Sequence, residues 1–116
     1  MFTGEDRNRI LSTVEDNNGF MKEFVEDYLH DIPQDMQNIE DAILQHDAVS
    51  LERSAHSLKS VVGLFQAMVP YNIARDMELL GKTKDFIAAT ERLKELRLAI
   101  AELNELLTET IEPSSR

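Results

Sequence analysis

Between Phe86 and Ile111 the chain places Phe86, Ala89, Leu93, Leu96, Ile100, Leu103, Leu107 and Ile111 three or four residues apart, with no glycine or proline among them. That spacing is one apolar stripe along an uninterrupted helix of about seven turns. A stripe that long must be covered by other long helices, and the rest of the sequence supplies them. Phe20, Phe24, Tyr28, Ile32, Met36, Ile39 and Ile43 repeat in the same way and predict a long helix ending near His46. Pro33 lies inside that pattern and should kink the helix or split it, with Asp31 capping the second piece. Asp47 is an N-cap for a helix running through Phe65, with Leu51, Ala55, Leu58, Val62 and Phe65 inward. Pro70 suits the first turn of a shorter helix reaching about Leu80, with Ile73, Met77 and Leu80 inward, Gly81 as its C′ residue and Thr83 capping the final helix. A short first helix from about Asp6 to Val14, with Ile10, Leu11 and Val14 as its apolar edge, precedes a break at Asn17-Asn18-Gly19. The expected fold is all-α: an up-down-up-down four-helix bundle with a short extra N-terminal helix. It forms one domain over 1–116, with a bundle core over about 19–112 and a frayed tail at 113–116.

Composition narrows the function classes. The 116 residues contain no cysteine, which removes disulfides and cysteine-based zinc sites and suits a reducing compartment. No apolar run approaches a membrane span, and Met1-Phe2-Thr3-Gly4-Glu5-Asp6 has neither the basic nor the apolar part of a signal peptide, so the expected location is cytoplasmic. The net charge of −10 argues against nucleic acid and anionic membranes as partners. Its distribution is uneven: residues 1–50 carry twelve acids and three bases, residues 51–84 three and five, and residues 85–116 seven and four. The only net-positive stretch contains His56.

On a helical wheel His56 projects roughly 140° from the centre of the Leu51–Phe65 stripe. Its neighbours one turn away are Glu52, Lys59, Ser60 and Gly63. A mid-helix glycine costs about 1 kcal/mol relative to alanine, and Gly63 is explained if it keeps the surface low enough for another protein to reach the imidazole. An outward, unencumbered imidazole can attack a phosphoryl group through its free ring nitrogen. Lys59 would then set a cation beside the phosphate oxygens, and the small Ser60 and Gly63 would admit a donor in line.

Other chemistries fit less well. Gly81-Lys82-Thr83 resembles the end of a phosphate-binding loop, but Asp76 stands where the first glycine is required and no strand precedes it. A two-metal carboxylate bundle needs Glu-x-x-His pairs; His30 and His56 lack them, and His46 reads as a helix-end residue. Ser57 and Ser60 beside His56 lack the oxyanion hole and strained turn of a hydrolase.

Ala55-His56-Ser57-Leu58-Lys59 resembles the signature of histidine-containing phosphotransfer (HPt) domains, which runs A-H-x-L-K-G with a G-A pair six residues on. The upstream Gln45–Leu51 and downstream Ala74–Gly81 segments are similar to the same family, as is the helix order over most of residues 20–110. The resemblance implies that His56 carries a phosphoryl group between receiver-domain aspartates of a multistep two-component phosphorelay, with Lys59 stabilising it. It implies a monomeric phosphocarrier without an ATP site, whose partners are response-regulator receiver domains and a hybrid sensor histidine kinase. No cofactor of its own is expected, the Mg²⁺ belonging to the receiver. Glu78 and Lys82 of the adjoining helix are the implied flanking polar groups. The chain departs from the pattern at Ser60, where the family has glycine, and at Gln66, which replaces the glycine before Ala67. Either change bears on partner choice, and Gln66 on the turn towards Pro70. With Met1 and a complete bundle the chain is expected to be free-standing. The rival reading is a helical adaptor that keeps the docking surface without the chemistry, against which His56 and Lys59 both speak.

Overall fold

The computed structural model describes residues 1–15 and 20–111, and these form five helices: α1 (Gly4–Glu15), α2 (Phe20–Leu44), α3 (Ala48–Leu64), α4 (Met68–Lys82) and α5 (Phe86–Ile111). Helices α2 to α5 close a four-helix bundle in which each packs against the next and α5 returns to α2. The run is antiparallel: along α3 and α4, Gly63 meets Tyr71, Lys59 meets Glu78, and Glu52 meets Gly81. The core is built from apolar side chains and Tyr28, and among the described residues no charged residue is fully buried. The α5 stripe buries Ala89, Leu93, Leu96, Ile100, Leu103 and Leu107 as its spacing requires, joined by Ala99 and Leu106. Leu51, Ala55, Leu58, Val62 and Phe65 are all at most 1% exposed, so the face of α3 opposite His56 is fully committed to the core.

Helix α1 begins with a reciprocal cap in which the Asp6 N–H donates to Thr3 Oγ1 and the Thr3 N–H to the Asp6 carboxylate. It is held to α5 by Arg7 and the Phe2 N–H, both on the Glu102 carboxylate. The break at Asn17–Gly19 and the tail at 113–116 lie outside the described residues.

Four local expectations are corrected. Helix α2 runs through Pro33 without splitting, and Asp31 caps nothing there. Pro33 is exposed while Tyr28, Ile32 and Ile39 stay buried in one continuous stripe, so core packing on both sides outweighs the single lost hydrogen bond. The inward residues before Tyr28 are Met21 and Val25, and Phe24 turns outward at 42% exposure. The cap of α5 is Asp85, which accepts the Ala88 N–H at 3.0 Å, whereas Thr83 ends α4. Gly81 is not a C′ residue: it is buried inside α4, where a Cβ would come within 2.9 Å of the Glu52 backbone nitrogen. Glycine serves there for close helix approach, not for turn freedom.

The three bundle connections share one geometry. His46, Gln66 and Lys84 have φ of 53°, 59° and 58°. In each turn the next residue's N–H reaches back five positions (Asp47 to Ala42, Ala67 to Val62, Asp85 to Leu80) while the left-handed residue bonds back three. This is the Schellman helix stop, and its second residue is at once the N-cap of the following helix. Asp47 accepts the Ser50 N–H at 3.1 Å and Asp85 accepts that of Ala88, but Ala67 has no side-chain cap. None of the three left-handed residues is glycine, so each carries a Cβ penalty of about 1–2 kcal/mol. Gln66→Gly should therefore raise stability by about 0.5–1 kcal/mol, after allowing for the unfolded-chain entropy of glycine. A urea titration with an unchanged slope and a higher midpoint is the expected result.

Candidate functional site

His56 is fixed by the helix that carries it. With Ala55 and Leu58 locked in the core on either side, the imidazole must leave α3 towards solvent, and its side chain is 59% exposed. The neighbouring helix then supplies the polar partner. Glu78 of α4 places Oε2 3.0 Å from His56 Nδ1 and Oε1 2.8 Å from Lys59 Nζ. One carboxylate thus bridges the imidazole and the ammonium, and its own side chain is only 12% exposed. The hydrogen bond from Lys59 above all, and then that from His56, holds the Glu78 carboxyl below its usual value against the opposing effect of partial burial.

That arrangement has chemical content. A carboxylate at Nδ1 favours the neutral tautomer with the proton on Nδ1, which leaves the lone pair on Nε2, pointing away from Glu78. Lys59 is half-buried, with its charge on the same carboxylate as the imidazole. The site is therefore a nucleophile, a group that orients it and a cation, built from two helices whose register is set by the Gly81 approach one turn further along α4.

The other singled-out residues fall into place differently. The Ser60 hydroxyl turns back along its own helix and donates to the His56 carbonyl at 3.1 Å. Gly63 does not open onto bare surface, because two Tyr71 ring carbons lie 3.4 Å from where its Cβ would sit. Lys82 does not pair with Glu78; its nearest carboxylate is Glu52, at 4.0 Å. Gln66 stands past the end of α3, ten residues or roughly 15 Å along the axis from His56. Met68 and Val69 are half-buried at the start of α4. Val69 packs on the core, α1 lies against α5 and α2, and the exposed apolar residue one turn beyond Ser60 is Leu64. Spacing within α3 could not reveal the Glu78 bridge, which depends on the pairing of two helices.

His30 and His46 are engaged elsewhere. His30 Nδ1 lies 3.0 Å from Asp31, and the His46 ring stacks on Phe86 with centroids 4.6 Å apart. Among the described residues no three histidine or carboxylate side chains gather as a metal site, and no helix is long and apolar enough to cross a membrane.

Comparison with known proteins yields one family. Neither the curated proteins nor the solved structures give a match. The family model of the Hpt domain matches residues 23–106, which spans α3, α4 and most of α2 and α5 and includes both His56 and Glu78. Hpt domains are phosphocarriers that interact with receiver domains in two-component phosphorelays. With a matching helical bundle and a match over well more than half its length, this chain belongs to the Hpt domain family.

Proposed function

We propose that this protein carries a phosphoryl group on Nε2 of His56, taking it from the acyl phosphate of one receiver domain and passing it to the aspartate of another. The observation that supports this reading most directly is the Glu78 carboxylate on Nδ1, which leaves Nε2 as the nucleophile. In the forward step the Nε2 lone pair forms a bond to phosphorus while the bond from phosphorus to the receiver carboxyl oxygen breaks, and that carboxylate leaves. The imidazolium so formed keeps its proton on Nδ1, where Glu78 balances the charge. Lys59, one turn away, is placed to meet the phosphoryl oxygens as they arrive. The reverse sequence loads the second receiver. The divalent cation and the remaining acid–base groups belong to the receiver in this reading, and the chain itself acts as an intermediate without autokinase activity. The upstream donor is a hybrid sensor kinase carrying its own receiver.

Incubation with a radiolabelled phospho-receiver tests the reading. Label should move to the native chain as an adduct that is labile in acid and stable in base, as a phosphoramidate is. Absence of transfer would leave the helical adaptor as the better account.

Glu78→Gln separates orientation from mere proximity. The amide keeps the size but loses the charge that faces both Lys59 and the developing imidazolium, so transfer should slow by about tenfold or more. The same variant has a signature in stability. Because the folded Glu78 lies below its unfolded value, its stabilising contribution is present above the unfolded value and is lost as pH falls through the folded one. The stability gap between native and Glu78→Gln should therefore close on acidification. A gap independent of pH would remove the ion pair from this role.

A further inference from the structure

A groove runs between α2 and α3 on the side of α3 next to His56. At its deeper end it is lined by Phe24, Val61 and Leu64, with Asp27, Asp31 and Asp35 along the α2 edge. The three aspartates recur every four residues, so their carboxylates form one stripe down a single helix face. Among the described residues neither Asp27 nor Asp35 has an ion-pair partner, and Asp31 meets only His30. The Asp35 carboxyl is pushed up by burial and then by the charge of Asp31. A second observation comes from within the wall. Tyr28 lines the groove at 3% exposure, and its buried hydroxyl has no hydrogen-bond partner. An apolar floor at 53% exposure on Leu64, an acidic edge paired only at Asp31 and an unsatisfied phenol in the wall together describe a surface that is incomplete in the free chain.

At Asp35 the groove adjoins a second, shallower hollow on the same side of α3. Asp35 also lines that hollow with Asn38, Arg53, Ser54 and Ser57; Arg53 forms no ion pair with Asp35, and Ser57 follows His56 directly in the chain. A domain that brings a phosphoryl group to His56 must overhang it. A second copy of this chain is a poor occupant, because its net charge of −10 would be set against three carboxylates.

We propose that Asp27, Asp31 and Asp35 select the partner: the groove takes a receiver domain that presents an apolar ridge flanked by lysine or arginine side chains beside its phosphoacceptor aspartate. This rests on the phosphotransfer reading and adds to it the charge of the partner. The stripe acts on recognition and encounter, while His56, Lys59 and Glu78 act on the transfer step.

The test uses the full chain and two forms of one receiver domain, the first with lysine and arginine around its phosphoacceptor aspartate and the second with those residues changed to glutamate. Binding is measured by calorimetry at low and high salt, and transfer by label at saturating receiver. The native chain should prefer the basic form. The triple variant Asp27→Asn, Asp31→Asn, Asp35→Asn should bind it roughly tenfold more weakly at low salt, lose the preference, and converge with the native chain at high salt. Its transfer rate at saturation should be retained. A triple variant that still discriminates between the two receivers as the native chain does would overturn the proposal, as would self-association of the native chain that the triple variant strengthens. Charge-selective binding by a native chain that never takes up label would instead remove the phosphotransfer reading and leave the groove's selectivity standing.

Discussion

His56→Gln should take up no label from a phosphorylated receiver, while a His30→Gln, His46→Gln double variant labels to the native extent. Glutamine preserves the length, polarity and helix compatibility of the side chain, and position 56 is exposed, so the fold has no reason to change. What it lacks is a nucleophilic nitrogen, since the amide lone pair is delocalised into its carbonyl. The other two histidines cannot substitute. One is paired with Asp31 and the other is stacked on Phe86, and neither has a lysine one turn along its own helix. The loss is expected to be complete, because with His56 gone there is no residual route to a phosphoimidazole at this surface. Quantitative transfer to His56→Gln would place the phosphoacceptor elsewhere and undo the mechanism.

Gly81→Ala should destabilise the bundle by about 1–2 kcal/mol, and Gly81→Leu by more, although helix propensity alone favours alanine over glycine by about 1 kcal/mol. An added Cβ would stand 2.9 Å from Glu52 N, 3.2 Å from Glu52 Cα and 3.3 Å from the Ala48 carbonyl oxygen. All three neighbours are backbone, which cannot swing aside as a flexible side chain would. The helices must separate, and for a chain of this size that loss lowers the melting temperature by roughly 4–8 °C. The consequence extends to the site. Glu78 lies one turn before Gly81, and moving α4 away from α3 lengthens its contacts to His56 and Lys59 together. The alanine variant should therefore slow phosphotransfer as well as melt earlier. An alanine variant more stable than the native chain would show that the close approach is not the constraint on this interface.

These two results probe different kinds of information. The outward placement of His56 was legible in one segment, because it follows from the period of Leu51, Ala55, Leu58, Val62 and Phe65. The role of Gly81 was not. As a glycine after an apolar run it reads as a helix stop, and its packing against Glu52 depends on a helix nearly thirty residues earlier in the chain. The three turns were hidden for the complementary reason. His46, Gln66 and Lys84 adopt the conformation that glycine signals, yet no residue type there announces it. Phe24 and Pro33 mark the same limit within α2. Tertiary packing decided that one faces solvent and that the other does not divide the helix.

By itself, then, the sequence determined the helical class, the order of the helices, the buried stripes of α3 and α5 and the exposure of His56. Each of these follows from periodicities of three and four within a single segment. Only the tertiary structure decided that Glu78 bridges His56 and Lys59, that Lys82 turns instead towards Glu52, and that Tyr71 fills the space at Gly63. It also decided that the α2 aspartates edge a groove reaching Ser57. Those facts depend on how far and in what register one helix lies against another, which the backbone contact at Gly81 helps to set.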